Sequence, residues 1–197
     1  MKLLLASASP RRADLLRAAG LSFDIGPVDV DETPLDDERP RDYVLRLALE
    51  KARAASHDLG HIVIAADTTV VVDGALLGKP ADDDEAAEML RRLSGRAHEV
   101  LTGIAVKHGG LEFVDVATSR VHFVPMTPEE IAWYVSSGEP RGKAGAYAIQ
   151  GLASRFVHRV EGSYSNVVGL PVSMVCQLLK QVGWVGLERD PAWPAAH

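Results

Sequence analysis

Five groups of residues have the types and spacing to do chemistry. The first is Ser7-Ala8-Ser9-Pro10-Arg11-Arg12. It joins an apolar run to a helix start, with Ser9 as N-cap and Pro10 as first helical residue. Free backbone N–H groups and the positive end of the helix dipole attract anions there. Two arginines in a first turn oppose that dipole at ~0.3–1 kcal/mol each, a placement that makes sense where a phosphate chain docks on the turn. Arginines that simply reach solvent are the alternative.

The second group is Asp67, between the apolar run Ile62-Val63-Ile64-Ala65-Ala66 and Thr68-Thr69-Val70-Val71-Val72. A carboxylate inside such a strand is costly to bury unpaired, so it needs a cation, a metal or a proton. A structural Asp held by amides or a lysine is the alternative. The third is Asp29-Val30-Asp31-Glu32, three carboxylates in four residues. Oxygen donors of this kind suit a hard cation such as Mg²⁺, though acidic loops are also often only solvated. The fourth is a set of separate basic residues: Lys51, Lys79, Arg141 and Lys143. Lys51 falls on a helical face that should point inward, with snorkelling to the surface as its alternative. The fifth is Ala146-Tyr147-Ala148-Ile149-Gln150-Gly151. The Gln150 amide can make a paired donor–acceptor contact with a base edge, or satisfy a buried structural need.

These residues must be positioned by elements that the hydrophobic pattern outlines. Residues 2–6, 22–25 and 62–72 read as strands, the last dense in β-branched residues. Asp73-Gly74 marks a tight turn into residues 75–77. Residues 100–107 and 111–124 form a hairpin around Gly109-Gly110, and 156–160 a further strand. Helices are predicted from Pro10 to a stop at Gly20, and over 41–56, 82–93 and 171–182. Thr127-Pro128-Glu129-Glu130 is another helix start, with the pattern of a capping box. Residues 29–39 and 136–145 read as loops, and the chain after Gly183 as a loosely held end. This irregular mixture predicts an α/β fold on a mixed sheet.

The chain has 197 residues, 47% of them hydrophobic, which fits one domain of residues 1–182 and a tail of 183–197. Lys and Arg number 21 against 27 Asp and Glu, a net charge of −6 that argues against a general nucleic-acid binder. Cys176 is the only cysteine, so no disulfide framework and no cysteine-based zinc site is expected. It is read as a buried structural thiol. The apolar N-terminal run is cut short by Pro10-Arg11-Arg12, and no stretch of ~18 apolar residues exists, so a soluble cytoplasmic protein is the expectation.

Three lookalikes fail on physical grounds. The run from Gly74 to Pro80 has one residue too few between its glycines for a P-loop and Pro where a magnesium-binding hydroxyl belongs. Ser56, His57 and Asp58 are consecutive and point apart on a helix. His57 and His61 are separated by Gly60 and lack the glutamate of a zinc protease motif.

The combination resembles one family. Leu5-Ala6-Ser7-Ala8-Ser9-Pro10-Arg11-Arg12, Asp31-Glu32, Glu50-Lys51-Ala52, Ala66-Asp67-Thr68-Thr69-Val70, Gly78-Lys79-Pro80 and Tyr147-Ala148-Ile149-Gln150-Gly151 closely resemble the Maf (septum-formation inhibitor) family of nucleoside triphosphate pyrophosphatases. The likeness runs over residues 2–179. It implies the fold of the inosine triphosphate pyrophosphatases: an elongated, mixed, twisted sheet with flanking helices, in two lobes around a cleft, often as a homodimer. It implies hydrolysis between the α- and β-phosphates with a divalent metal, Mg²⁺, Mn²⁺ or Co²⁺. By motif position Asp67 would be the general base, and Glu32 a metal ligand together with Asp67. Ser7, Arg11, Arg12, Lys51 and Lys79 would bind phosphate. Arg12, Thr68 and Gln150 match the branch that acts on dTTP and UTP, with CTP and modified pyrimidines as further substrates. Two other readings stand beside it: a nucleotide-binding regulator of cell division without turnover, and a nucleotidyltransferase.

Overall fold

The computed structural model describes residues 1–55 and 60–186. Among the described residues, seven strands form one mixed sheet: β1 (Lys2–Leu5), β2 (Phe23–Ile25), β3 (His61–Val72), β4 (Ala75–Leu77), β5 (Ala97–His108), β6 (Leu111–Phe123) and β7 (Val157–Glu161). Their order is β2-β1-β3-β5-β6-β7, with β4 paired to the end of β3. β1 runs parallel to β2 and β3, and the remaining pairs are antiparallel. The helices are α1 (Pro10–Ala18), α2 (Pro40–Ala54), α3 (Asp83–Leu93), α4 (Pro128–Ser136), α5 (Tyr164–Val168) and α6 (Val172–Gln181).

The period of two along β3 organises the middle of the molecule. Ile62, Ile64 and Ala66 pack with Leu3 and Leu5 against α1 and α6, through Ala13, Leu16, Val175 and Leu179. Val63 and Ala65 face the other way with Leu4 and Ala6, against Ala48 and Ala52 of α2. Further along, Val70 and Val72 join a second large cluster with Leu90 of α3, Ile131 and Tyr134 of α4, and Phe156. β3 thus runs from one of these large clusters to the other, and residues 67–69 lie on the strand between them.

Local chemistry sets the helix ends. The Asp82 side chain accepts from Glu85 N at 2.8 Å and opens α3. Thr127 and Glu130 form the expected capping box at α4. Gly20, at φ 75°, takes the left-handed turn after α1. Ser9 has the extended backbone of an N-cap, but its side chain makes no cap bond; instead its N–H donates to Ser7 Oγ at 3.2 Å. The short helix α5 has no counterpart in the sequence reading, because five residues are too few to show a 3.6-residue period. Cys176 is half-buried rather than buried, and burial pushes its thiol up. Ser56, His57 and Asp58, and residues 187–197 of the tail, lie outside the described residues.

Candidate active site

The alternation of β3 splits two neighbouring residues between two helices. Asp67 shares a face with Val63 and Ala65, toward α2; Thr68 shares a face with Ala66, toward α1. On the α2 side, Lys51 is buried at 8% exposure and its Nζ donates to Asp67 Oδ1 and to Glu32 Oε1, both at 2.6 Å. Lys79, from the segment after β4, donates to the other Glu32 oxygen at 2.9 Å. Burial alone would raise the Glu32 carboxyl; hydrogen bonds from Lys51 and Lys79 outweigh it and hold the pKa down to about 2.

The loop carrying Glu32 is fastened to α2. Tyr43 Oη donates to the Glu32 carbonyl at 2.9 Å, and Arg46 clasps Glu38 with two bonds of 2.7 and 2.8 Å while also reaching the Thr33 carbonyl. Burial, with the negative charges of Asp67 and Glu32, pushes the Tyr43 phenol up to about 12, so it remains a donor. α2 can lie this close because Gly103, paired with Asp67 across the β3–β5 ladder, has no side chain. A Cβ there would fall 2.1 Å from the Val44 carbonyl oxygen.

On the α1 side, the Arg12 guanidinium spends its donors on neutral oxygens. They go to Ser7 Oγ at 3.1 Å, Thr68 Oγ1 at 3.0 Å and the Gly169 carbonyl at 2.8 Å. Burial lowers its pKa more than Asp67 and Glu32 raise it. Thr68 also contacts Thr102 Oγ1 at 2.9 Å. Arg11, beside it, makes no hydrogen bond or ion pair with any described residue.

These two sides face one cavity of about 510 Å³. Ser7, Arg11, Arg12, Glu32, Lys51, Asp67, Thr68, Lys79 and Gln150 all line it. Gln150 lies exposed at the rim, on a loop tied back by Glu139, whose carboxylate accepts from Leu152 N, Ala153 N and Tyr134 Oη. Of the acidic run, only Glu32 reaches the cavity; Asp31 is exposed and accepts from Thr33 N at 2.9 Å. Arg141 also turns away and pairs with Asp83. Lys143 does line the cavity. One feature escaped the sequence reading: buried His98, whose Nε2 shares a 2.8 Å hydrogen bond with Tyr147 Oη on the cavity wall. Only its place on an alternating strand could have marked it.

Asp67 and Glu32 present carboxylate oxygens to the same point, now taken by the Lys51 ammonium. Two carboxylates are what a magnesium site uses when phosphate oxygens and waters complete the shell, so the donor set fits such an ion. Among the described residues no group of three or more His, Cys, Asp or Glu could hold a metal without that help.

A carboxylate pair joined by a buried lysine and a helix N-terminus bearing two arginines line one cavity, a charge arrangement with the chemistry to hold a polyphosphate anion. The model of the family described as Maf-like protein matches residues 2–182, and the chain belongs to the Maf family. It is 52% identical over 187 residues to the dTTP/UTP pyrophosphatase of Anaeromyxobacter dehalogenans (strain 2CP-C), covering 93% of this chain and 95% of that one. It is 51% identical over 184 residues to the dTTP/UTP pyrophosphatase of Symbiobacterium thermophilum, with the same coverage. Among solved structures it resembles a HAM1 protein from Coxiella burnetii, with a TM-score of 0.54, 16% identity, and coverage of 92% and 99%; that likeness is one of fold. No helix among the described residues is long and apolar enough to cross a membrane.

Proposed function

We propose that this chain is a metal-dependent nucleoside triphosphate pyrophosphatase whose substrates are dTTP and UTP. The observation that carries the reading is the Lys51 ammonium joining Asp67 and Glu32 at the wall of a cavity that also receives Arg11 and Arg12. Relatives at about half identity, named for that activity, support the choice of substrate.

In this reading Asp67 accepts a proton from water. The water oxygen attacks the α-phosphorus, the bond from that phosphorus to the bridging oxygen of the β-phosphate breaks, and pyrophosphate leaves with the electron pair. Lys51 orients the Asp67 carboxylate. Lys51, Lys79, Ser7, Arg11 and Arg12 bind phosphate oxygens and offset charge that grows on the leaving group. Glu32 and Asp67 would hold a divalent cation, Mg²⁺, Mn²⁺ or Co²⁺, which when bound polarises the phosphoryl oxygens. Arg12, Thr68 and Gln150 select the pyrimidine base. The reading extends to a homodimer that works in the cytoplasm on the nucleotide pool, with a link to septum formation.

A pyrophosphate-release assay with Mg²⁺ against dTTP, UTP, CTP, 7-methyl-GTP, ITP and ATP tests it. Turnover of dTTP and UTP above the purines is expected. Turnover of 7-methyl-GTP alone would overturn the specificity, and no turnover by folded protein would overturn the reaction.

A further inference from the structure

The segment between α4 and β7 lines part of the cavity under unusual backbone constraint. Gly142 and Gly145 have φ of 69° and 66°, and Ala146 follows at 59°, a region that non-glycine residues rarely adopt. The bend is held in place: Gly145 N donates to the Gly78 carbonyl at 3.0 Å, and a Cβ on Gly145 would strike Val70 at 2.7 Å. Arg141 anchors the outer side to Asp83. The result is to deliver Lys143 to the cavity wall.

The Lys143 ammonium has no carboxylate partner among the described residues. It donates to the backbone carbonyls of Glu139 and Arg141, which leaves one N–H uncommitted. The nearby Glu139 carboxylate is already shared among Tyr134 and two backbone amides. Arg11, on the other element facing this space, likewise has no anionic partner among the described residues. Burial and the Arg11 charge both lower the Lys143 pKa, and Glu139 offsets them only in part. Two cations held together at a cavity wall without a counter-charge are repulsive until an anion joins them.

We propose that Lys143 and Arg11 form a cationic subsite for the terminal phosphates of the nucleotide, and so for the pyrophosphate product. Lys51 and Lys79 lie against Asp67 and Glu32, at the reacting end. Arg11 and Lys143 hold the end that leaves. The subsite rests on the reading of the cavity as a nucleoside triphosphate site.

Calorimetric titration of the full chain with inorganic pyrophosphate and, separately, with UMP, in Mg²⁺ buffer, tests it. Lys143→Met is expected to weaken pyrophosphate by about tenfold, the loss of one charge-assisted hydrogen bond, with UMP changed by less than about threefold. Lys143→Gln, which keeps a donor for the two carbonyls, is the second variant, with the same expectation. Lys143→Arg is expected to keep pyrophosphate binding within about threefold. Pyrophosphate affinity unchanged in both neutral variants, or an equal loss for UMP, would overturn the subsite, as would a wild type that binds no pyrophosphate. A wild type that turns over no nucleotide but binds pyrophosphate through Lys143 would overturn the proposed reaction and leave the subsite standing.

Discussion

Replacing Lys51 with methionine keeps an unbranched apolar stem, one atom shorter, and removes the ammonium with its charge and its two hydrogen bonds. In the wild type the Lys51 and Asp67 side chains are each 10% exposed and 2.6 Å apart. Removing the cation leaves Asp67 buried and unpaired, and breaking a buried pair in this way costs about 3–5 kcal/mol. Glu32 adds little to the loss, because it is 40% exposed and keeps Lys79. Water can enter the cavity beside Asp67, which places the expectation at the lower end, about 3 kcal/mol. For a chain of this size that is a fall in Tm of roughly 6–12 °C. The assay is thermal and urea unfolding at neutral pH in EDTA, so that no added cation replaces the ammonium. Asp67→Asn in the Lys51→Met background removes the stranded charge and should restore about 1.5 kcal/mol or more. A loss below about 1 kcal/mol for Lys51→Met, or strict additivity of the two substitutions, would refute the argument.

Three further outcomes are expected. Burial, with a small contribution from His122, holds the His98 imidazole down to about 4. The unfolded chain therefore binds the extra proton first, and stability falls as pH drops from about 6.5 to about 4, by on the order of 3 kcal/mol; in His98→Gln this slope should be missing from unfolding curves. Gly103→Ala should lower both Tm and kcat, by about 1–3 kcal/mol in stability, because the new methyl meets α2 backbone and must push Lys51 away from Asp67. Thr127→Ala removes the cap that accepts from Glu130 N and should cost about 1 kcal/mol in unfolding experiments with kcat unchanged, since no residue of α4 lines the cavity.

Much of the site was legible because its residues contradict their surroundings. Asp67 stands in an apolar β-branched run, and Lys51 on an inward helical face; each needs the other, and the structure pairs them. The arginines after Pro10 contradict the helix dipole in the same way. The sheet was legible from the β-branched run of β3 and from the β5–β6 turn at Gly109-Gly110. What sequence could not supply is distance between elements. A glycine in a strand does not announce that α2 lies on it, so Gly103 passed unnoticed. The acidic run offered three carboxylates alike, and only the fastening of its loop by Tyr43 and Arg46 singles out Glu32. His98 looks like any strand residue until Tyr147, far along the chain, closes over it.

The most direct measurement is the rate of pyrophosphate release from dTTP by Asp67→Asn, beside wild type, with Mg²⁺ and with Tm recorded for both. The expected result is a folded variant that still binds nucleotide and whose kcat falls well below a tenth of wild type. A kcat above about a tenth, a loss of under about 1.4 kcal/mol, would contradict the assignment of Asp67 as the base.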